Sequence, residues 1–218
     1  MLKKNVYILL DRSGSMANGS NDYNRADAVN RGMEGICLEV APEVGKDAMV
    51  EVTVSVIAFN GNTVEFIIDR MKMEEFTEWM DIDNDSFYGG TPTGKAIKVV
   101  ADDINTGCNG DKDPQSIPPA ILLISDGAPN YDSSDPEAMT YEDALKYAEE
   151  NCIDFKHANR IAIGIQVDEA GRKSLEKFAR LSNSMRNKGF LPYYDCTENT
   201  AAVLIEVIKS ATMGLSLG

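Results

Sequence analysis

Three short polar segments contain the residues best suited to chemistry in this chain. Residues 11–15 read Asp-Arg-Ser-Gly-Ser and follow the apolar run 6–10. Residues 89–94 read Gly-Gly-Thr-Pro-Thr-Gly, and residues 125–127 read Ser-Asp-Gly after the apolar run 121–124. Carboxylates and hydroxyls are hard oxygen ligands that suit Mg²⁺, an ion that keeps several waters in its coordination shell. The segments therefore predict a divalent-cation site with an open position.

In this order and spacing the segments resemble the von Willebrand factor A family, in which three such loops form a metal-ion-dependent adhesion site. The resemblance implies five metal ligands: Asp11, Ser13, Ser15, Thr91 and Asp126. It implies Mg²⁺ as the ion, with Mn²⁺ as an alternative because both accept oxygen ligands. It also implies that a Glu or Asp of a partner protein binds at the open position.

The favoured function is a metal-dependent protein-interaction module that binds and does not catalyse. The chain looks most like stand-alone bacterial members similar to tellurite-resistance-associated proteins, which are linked to stress responses and to kinase and phosphatase partners. Two alternatives stay open: an accessory subunit of a chelatase or AAA-type ATPase, and a Mg²⁺-dependent phosphoryl-transfer or hydrolytic enzyme. Against the enzyme hypothesis, the sequence shows no evident general base and no basic phosphate clamp.

Three other features come close to known sites and fall short. Residues 89–96 approach a phosphate-binding loop, but Ala96 stands where a hydroxyl would hold the nucleotide's magnesium. Residues 81–92 begin like an EF-hand loop, but Ser86 replaces the glycine and Pro92 the bidentate glutamate. His157 is the single histidine, and no nucleophile elbow accompanies it, so we expect a surface or helix-end residue.

Size and charge narrow the class of protein. A chain of 218 residues with 43% hydrophobic and 26% charged residues fits one globular domain, predicted to span residues 1–218. The net charge of −14 argues against nucleic acid or an anionic membrane as a partner. The apolar run 6–10 is too short for a signal peptide, and no run approaches the ~18 residues of a membrane span. Four widely spaced cysteines are predicted to be free thiols, so we expect a cytoplasmic protein.

The elements that must position the polar segments alternate along the chain. Strands are predicted at residues 6–10, 50–59, 63–68, 120–124, 161–167 and near 192–194, and helices at 22–40, 93–104, 136–152, 174–181 and 200–213. Asp135 and Pro136 are expected to begin the third helix, and Asn60-Gly61 to form a hairpin turn. This pattern predicts an α/β fold: a doubly wound, mostly parallel, Rossmann-like sheet with one antiparallel edge strand and helices on both faces. In such a sheet, sites form at the carboxyl ends of the strands.

Overall fold

A computed structural model describes residues 1–17, 24–46, 49–61, 63–106, 116–130, 133–196 and 201–218. The strands are Leu2–Asp11 (β1), Val50–Asn60 (β2), Thr63–Lys72 (β3), Ala120–Ser125 (β4), Asn159–Gly164 (β5) and Tyr193–Asp195 (β6). The α-helices are Arg25–Gly35 (α1), Ala41–Val44 (α2), Thr93–Thr106 (α3), Tyr141–Asn151 (α4), Ile153–His157 (α5), Glu169–Phe178 (α6), Asn183–Asn187 (α7) and Ala201–Leu217 (α8).

The strands form one six-stranded sheet in the order β3-β2-β1-β4-β5-β6. All neighbouring strands are parallel except β2 and β3, which pair antiparallel with Asn60 opposite Thr63. The predicted doubly wound sheet with one antiparallel edge strand is therefore confirmed. The chain runs from β1 out to β3 and then returns to β4 on the other side of β1. The strand order thus reverses between β1 and β4, where such sheets bind ligands at the carboxyl ends.

Helices cover both faces of the sheet, and each face has its own apolar core. Along β1, Val6, Ile8 and Leu10 belong to one buried cluster, which includes residues of α1 and α8. Tyr7 and Leu9 belong to a second buried cluster, which includes residues of α3 and α4. Alternate side chains of a strand point to opposite faces, so a continuous apolar run is needed when both faces are covered. This explains why the run 6–10 has no polar residue.

Two helix predictions differ from the structure. The helix expected from Asp135 begins instead at Tyr141, because Thr140 accepts a hydrogen bond from the backbone N–H of Asp143 and caps the helix there. Asp135 instead accepts a bond from the N–H of Glu137 within a turn. The helix expected over residues 22–40 is α1 followed by one π-helical segment, Ile36–Val40, and α2. Residues 22 and 23 of that prediction lie outside the described residues.

The boundaries of β5 and of the helix that follows it also differ from the predicted ones. β5 ends at Gly164, although the buried apolar pattern continues to Val167. The next helix, α6, begins at Glu169 rather than at residue 174, because Asp168 accepts a bond from the N–H of Gly171. The short helix α7, capped by Ser182, was not predicted. Most of the irregular stretch 105–119 lies outside the described residues.

Neither membrane-spanning helices nor disulfides are found in the described ranges. No helix there combines the length and apolarity needed to cross a bilayer. Cys37, Cys152 and Cys196 are all buried. Cys108, the fourth cysteine, lies outside the described residues.

Candidate metal centre

Asp11 and Asp126 meet because the two central strands end side by side. Asp11 is the last residue of β1, and Asp126 directly follows β4. These strands are parallel neighbours, with Leu10 opposite Ile124. Their carboxyl ends therefore lie at the same edge of the sheet, at the point where the strand order reverses. Both predicted carboxylates are thus brought to one place.

A chain of hydrogen bonds connects four of the five predicted ligands. The backbone N–H of Ser13 donates to Asp11 Oδ1 at 2.8 Å, which folds the first loop back over the strand end. Ser13 Oγ and Ser15 Oγ lie 3.1 Å apart. Ser15 Oγ donates to Asp126 Oδ1 at 2.8 Å, joining the first loop to the third. Oxygen atoms from residues 115 positions apart thus form one cluster at the sheet edge.

Thr91 is held beside this cluster by contacts between loops. Its N–H donates to Asn130 Oδ1 at 2.9 Å, and the N–H of Asn130 donates to the Thr91 carbonyl at 3.0 Å. The N–H of Gly14 in the first loop donates to the carbonyl of Gly89 in the second at 3.1 Å. Thr91 Oγ1 lies 3.8 Å from the position a Cβ on Gly127 would take. The second loop is therefore fixed to both other loops.

Gly89 allows the second loop to approach β2. Its φ is +70°, and a Cβ at this position would lie 2.7 Å from the Cα of Gly61. Glycine is needed because it tolerates positive φ and has no side chain to collide with that backbone. Gly89, the first glycine of the predicted motif, thus has a steric role in placing the loop that contains Thr91.

The two carboxylates are buried, and burial raises the pKa of both. Asp11 is 1% exposed and Asp126 6% exposed. Burial raises the pKa of Asp11 to about 7, opposed by hydrogen bonds from Ser125 and Ser13. Burial also raises the pKa of Asp126, opposed by the hydrogen bond from Ser15 and the charge of Arg25. A low-dielectric environment disfavours the ionised carboxylate, and a nearby cation favours it.

The donor set fits a hard divalent cation. Two carboxylates can neutralise its charge, and the neutral hydroxyls of Ser13, Ser15 and Thr91 add oxygen ligands without further negative charge. Ser15 is exposed while Ser13 and Thr91 are buried, so the cluster opens to solvent on one side. In the described ranges, no group of three or more His, Cys, Asp or Glu side chains is arranged for a metal. The candidate centre thus depends on hydroxyl ligands.

Three residues of this centre were not among the five ligands predicted from the sequence. Ser125 Oγ donates to Asp11 Oδ2 at 2.5 Å, Asn130 clamps Thr91, and Arg25 forms an ion pair with Asp126. Ser125 and Asn130 flank Asp126 in the chain, so proximity to a predicted ligand was the available signal. Arg25 lies in a helix 101 residues away, and nothing in the local sequence indicates its contact.

Lys95 and His157 belong to two of the sequence features that resemble other kinds of site. Lys95, in the phosphate-loop near-match, forms ion pairs with Asp135 at 2.9 Å and Glu137 at 3.3 Å. His157 is the exposed last residue of α5, as predicted. Because β5 begins two residues later, His157 lies near the amino ends of the strands, opposite the candidate centre.

Comparison with known families gives one match. A family model described as the von Willebrand factor type A domain matches residues 6–128, which is more than half of the chain. All five predicted metal ligands lie within the matched segment. A search of curated proteins returned no match.

Solved structures with the same fold have low sequence identity. The pilus adhesin SpaC from Lactobacillus rhamnosus GG is 18% identical (TM-score 0.66), over 99% of this chain and 31% of that one. The vWF domain of the type V pili tip protein Mfa5 from Porphyromonas gingivalis is 12% identical (TM-score 0.62), over 98% and 96%. Proximal thread matrix protein 1 from the mussel byssus, with a zinc-occupied MIDAS motif, is 17% identical (TM-score 0.58), over 97% and 48%. This chain thus spans about a third of the length of the adhesin and about half of the length of the byssus protein.

Proposed function

The chain belongs to the von Willebrand factor type A domain family, and from that premise we propose that it is a metal-dependent protein-interaction module. Asp11, Ser13, Ser15, Thr91 and Asp126 hold Mg²⁺ at the carboxyl edge of the sheet. A Glu or Asp side chain of a partner protein then docks at the remaining position. The bound ion supplies a positive charge that a partner carboxylate can coordinate.

The observation that carries this proposal is the continuous cluster of oxygen atoms from Asp11 through Ser13 and Ser15 to Asp126. Its inner end is buried and its outer end, at Ser15, is exposed. Buried carboxylates are unfavourable unless their charge is balanced, and a cation provides that balance. The exposed end leaves a side from which a partner can approach.

The chain's own residues divide the work of holding the ion. Asp11 is fixed by two donors, the Ser13 N–H and Ser125 Oγ, so that its carboxylate orientation is set before binding. Asn130 fixes the backbone of Thr91 from both sides. Residues that orient ligands in this way commonly influence metal affinity as strongly as some ligands do. The centre is therefore organised in advance.

The choice of Mg²⁺ is part of the proposal. The mussel byssus relative is described with zinc in its MIDAS motif. Zn²⁺ favours nitrogen and sulfur ligands, whereas the oxygen-only set here suits Mg²⁺ or Mn²⁺. Titration of the metal-free protein with each of the three ions would rank their affinities.

A binding role is proposed in preference to catalysis. The ammonium of Lys95 is paired with two carboxylates, and the single histidine lies at the opposite edge of the sheet. We therefore assign neither residue the role of a phosphate clamp or general base at the candidate centre. Absence of turnover on generic phosphoesters in the presence of Mg²⁺ would agree with this view.

The cellular setting is a further part of the proposal. We place the protein in the bacterial cytoplasm, in a stress response such as tellurium resistance, with a kinase or phosphatase as candidate partner. The similar structures include a pilus adhesin and a pilus tip protein, so an extracellular location is the competing proposal. Cell fractionation, followed by immunodetection, separates the two.

A pull-down from native lysate tests the function. We expect wild-type protein with Mg²⁺ to capture a partner, and EDTA to abolish the capture. Asp11→Ala and Asp126→Ala should lose it while keeping the circular dichroism spectrum of the folded protein. Both changes remove a buried carboxylate whose ionised form the fold disfavours, so the sheet should still assemble.

Asp27→Ala is the matched control, because Asp27 is an exposed carboxylate in the first turn of α1. It changes the net charge equally and should retain the partner. Capture by both Asp11→Ala and Asp126→Ala that persists in EDTA would refute the adhesion-site mechanism.

A further inference from the structure

Arg25 contacts the candidate metal ligands directly. Its Nη1 forms an ion pair with Asp126 Oδ2 and donates a hydrogen bond to the carbonyl of Ser15 at 3.0 Å. Its Nε donates to Gln166 Oε1 at 2.8 Å. The Arg25 side chain is 17% exposed, and the Asp126 side chain is fully covered. The guanidinium is thus held by three acceptors in a largely enclosed place.

The position of Arg25 is locally unfavourable. It is the first residue of α1, directly after the capping residue Asn24. The amino end of a helix carries a partial positive charge, so a cation there is repelled. Its partner Gln166 has a φ of +52°, a region that residues other than glycine rarely occupy. The ion pair with Asp126 offsets the unfavourable position of the Arg25 cation at the amino end of the helix.

Asp126 uses its two oxygen atoms for different partners. Oδ1 accepts from Ser15 Oγ, on the side of the other candidate ligands, and Oδ2 faces Arg25. Arg25 therefore provides a positive charge beside the buried carboxylate of Asp126. A divalent ion entering the same cluster is repelled by that charge if Arg25 stays, and must break the ion pair if Arg25 leaves.

We propose that Arg25 is a built-in counter-cation of the metal centre, which keeps the metal-free cluster assembled and lowers its affinity for the divalent ion. This inference rests on the proposed function. Whatever stabilises the metal-free state relative to the metal-bound state must weaken metal binding by the same factor. With the ion bound and Arg25 retained, one positive charge remains in excess, which favours a carboxylate as the partner group over a neutral one.

Calorimetric titration of the metal-free protein with MgCl₂ and with MnCl₂ tests the inference. Arg25→Gln removes the charge but keeps a polar side chain, and its metal Kd should be lower than that of wild type by about threefold or more. Arg25→Lys keeps the charge and should stay near wild type. Arg12→Gln is the charge-matched control in the first loop, because Arg12 pairs with Glu65 rather than with a candidate ligand.

Thermal unfolding in EDTA supplies a second readout that needs no metal. Arg25→Gln should unfold at a lower temperature than Arg12→Gln, because Asp126 loses the charge that balances it. Addition of MgCl₂ should raise the unfolding temperature of Arg25→Gln by more than it raises that of wild type.

The outcomes separate this inference from the proposed function. If wild type binds metal and Arg25→Gln binds it equally or more weakly than Arg12→Gln, the counter-cation role is wrong and the metal centre stands. If wild type binds neither ion, the proposed function fails. In that case thermal unfolding in EDTA still tests whether Arg25 balances the charge of Asp126. Equal unfolding temperatures for Arg25→Gln and Arg12→Gln would show that it does not.

Discussion

At the scale of single residues, the proposed metal binding depends on carboxylates and hydroxyls that the fold brings into one cluster. The residue types were readable from the sequence, since Asp, Ser and Thr at strand ends suit an oxygen-ligated ion. The contacts that other side chains make with these ligands could not be predicted from the sequence. Arg25 reaches Asp126 from 101 positions away, and only the packing of α1 against the sheet determines that approach. Side chains that act through tertiary contacts leave no local pattern.

The two threonines of the second loop provide a residue-level prediction. Thr91→Val should weaken Mg²⁺ binding by at least about tenfold, the scale seen even when a supporting residue of a metal ligand is lost. Thr93→Val is the matched control two positions away, at the start of α3. Thr93 Oγ1 is buried and makes no hydrogen bond within the described residues. Its removal should leave metal affinity unchanged and alter the free energy of unfolding by no more than about 1 kcal/mol.

Calorimetry and urea unfolding of the two valine variants decide the assignment. A large loss of affinity in Thr93→Val with normal affinity in Thr91→Val would move the ligand role to Thr93.

At the scale of elements, the buried strands were the most predictable part. Residues 6–10 and 120–124 lie within β1 and β4, because continuous apolar runs occur where both faces of a strand are covered. Helix starts were less predictable. Asp135 and Thr140 are both capable caps, and the local sequence did not show that Asp135 would pair with Lys95 instead. Competing uses of one polar side chain are resolved only in the folded protein.

The first part of β1 provides a prediction about pH. Lys4 is 4% exposed and lies on the same side of β1 as Val6. Burial, with a smaller contribution from the charge of Lys188, lowers the pKa of Lys4 to about 8. Between about pH 8 and the unfolded-state pKa near 10.4, the unfolded chain binds a proton that the folded protein does not. The contribution of Lys4 to stability therefore rises with pH over this range.

Lys4→Met should be more stable than wild type at pH 7, by on the order of 1–3 kcal/mol. This advantage should shrink as the pH rises from 8 towards 10, because neutral Lys4 no longer destabilises wild type. Urea unfolding of both proteins at each pH measures the difference in the free energy of unfolding. Lys46→Met is the control: Lys46 is exposed, so the stability of this variant should change with pH as that of wild type does. An advantage that stays constant with pH would contradict the assignment.

At the scale of the whole molecule, the order of strands places the centre. The reversal of strand order between β1 and β4 brings together loops that are distant in the chain, and Asn130 and Gly89 fix the second loop beside them. The fold class followed from alternating strands and helices. Because the net charge is −14, an acidic partner is repelled by the molecule as a whole, and the proposed cation centre is the feature that we expect to attract it.

The most direct test of the account is anomalous diffraction from crystals of the protein grown with MnCl₂. We predict a manganese peak at the carboxyl edge of the sheet, among the side-chain oxygens of Asp11, Ser13, Ser15, Thr91 and Asp126, contacting them directly or through one water. Absence of a peak there under saturating Mn²⁺, or a peak bound only elsewhere, would contradict the claim that these three loops form the metal centre.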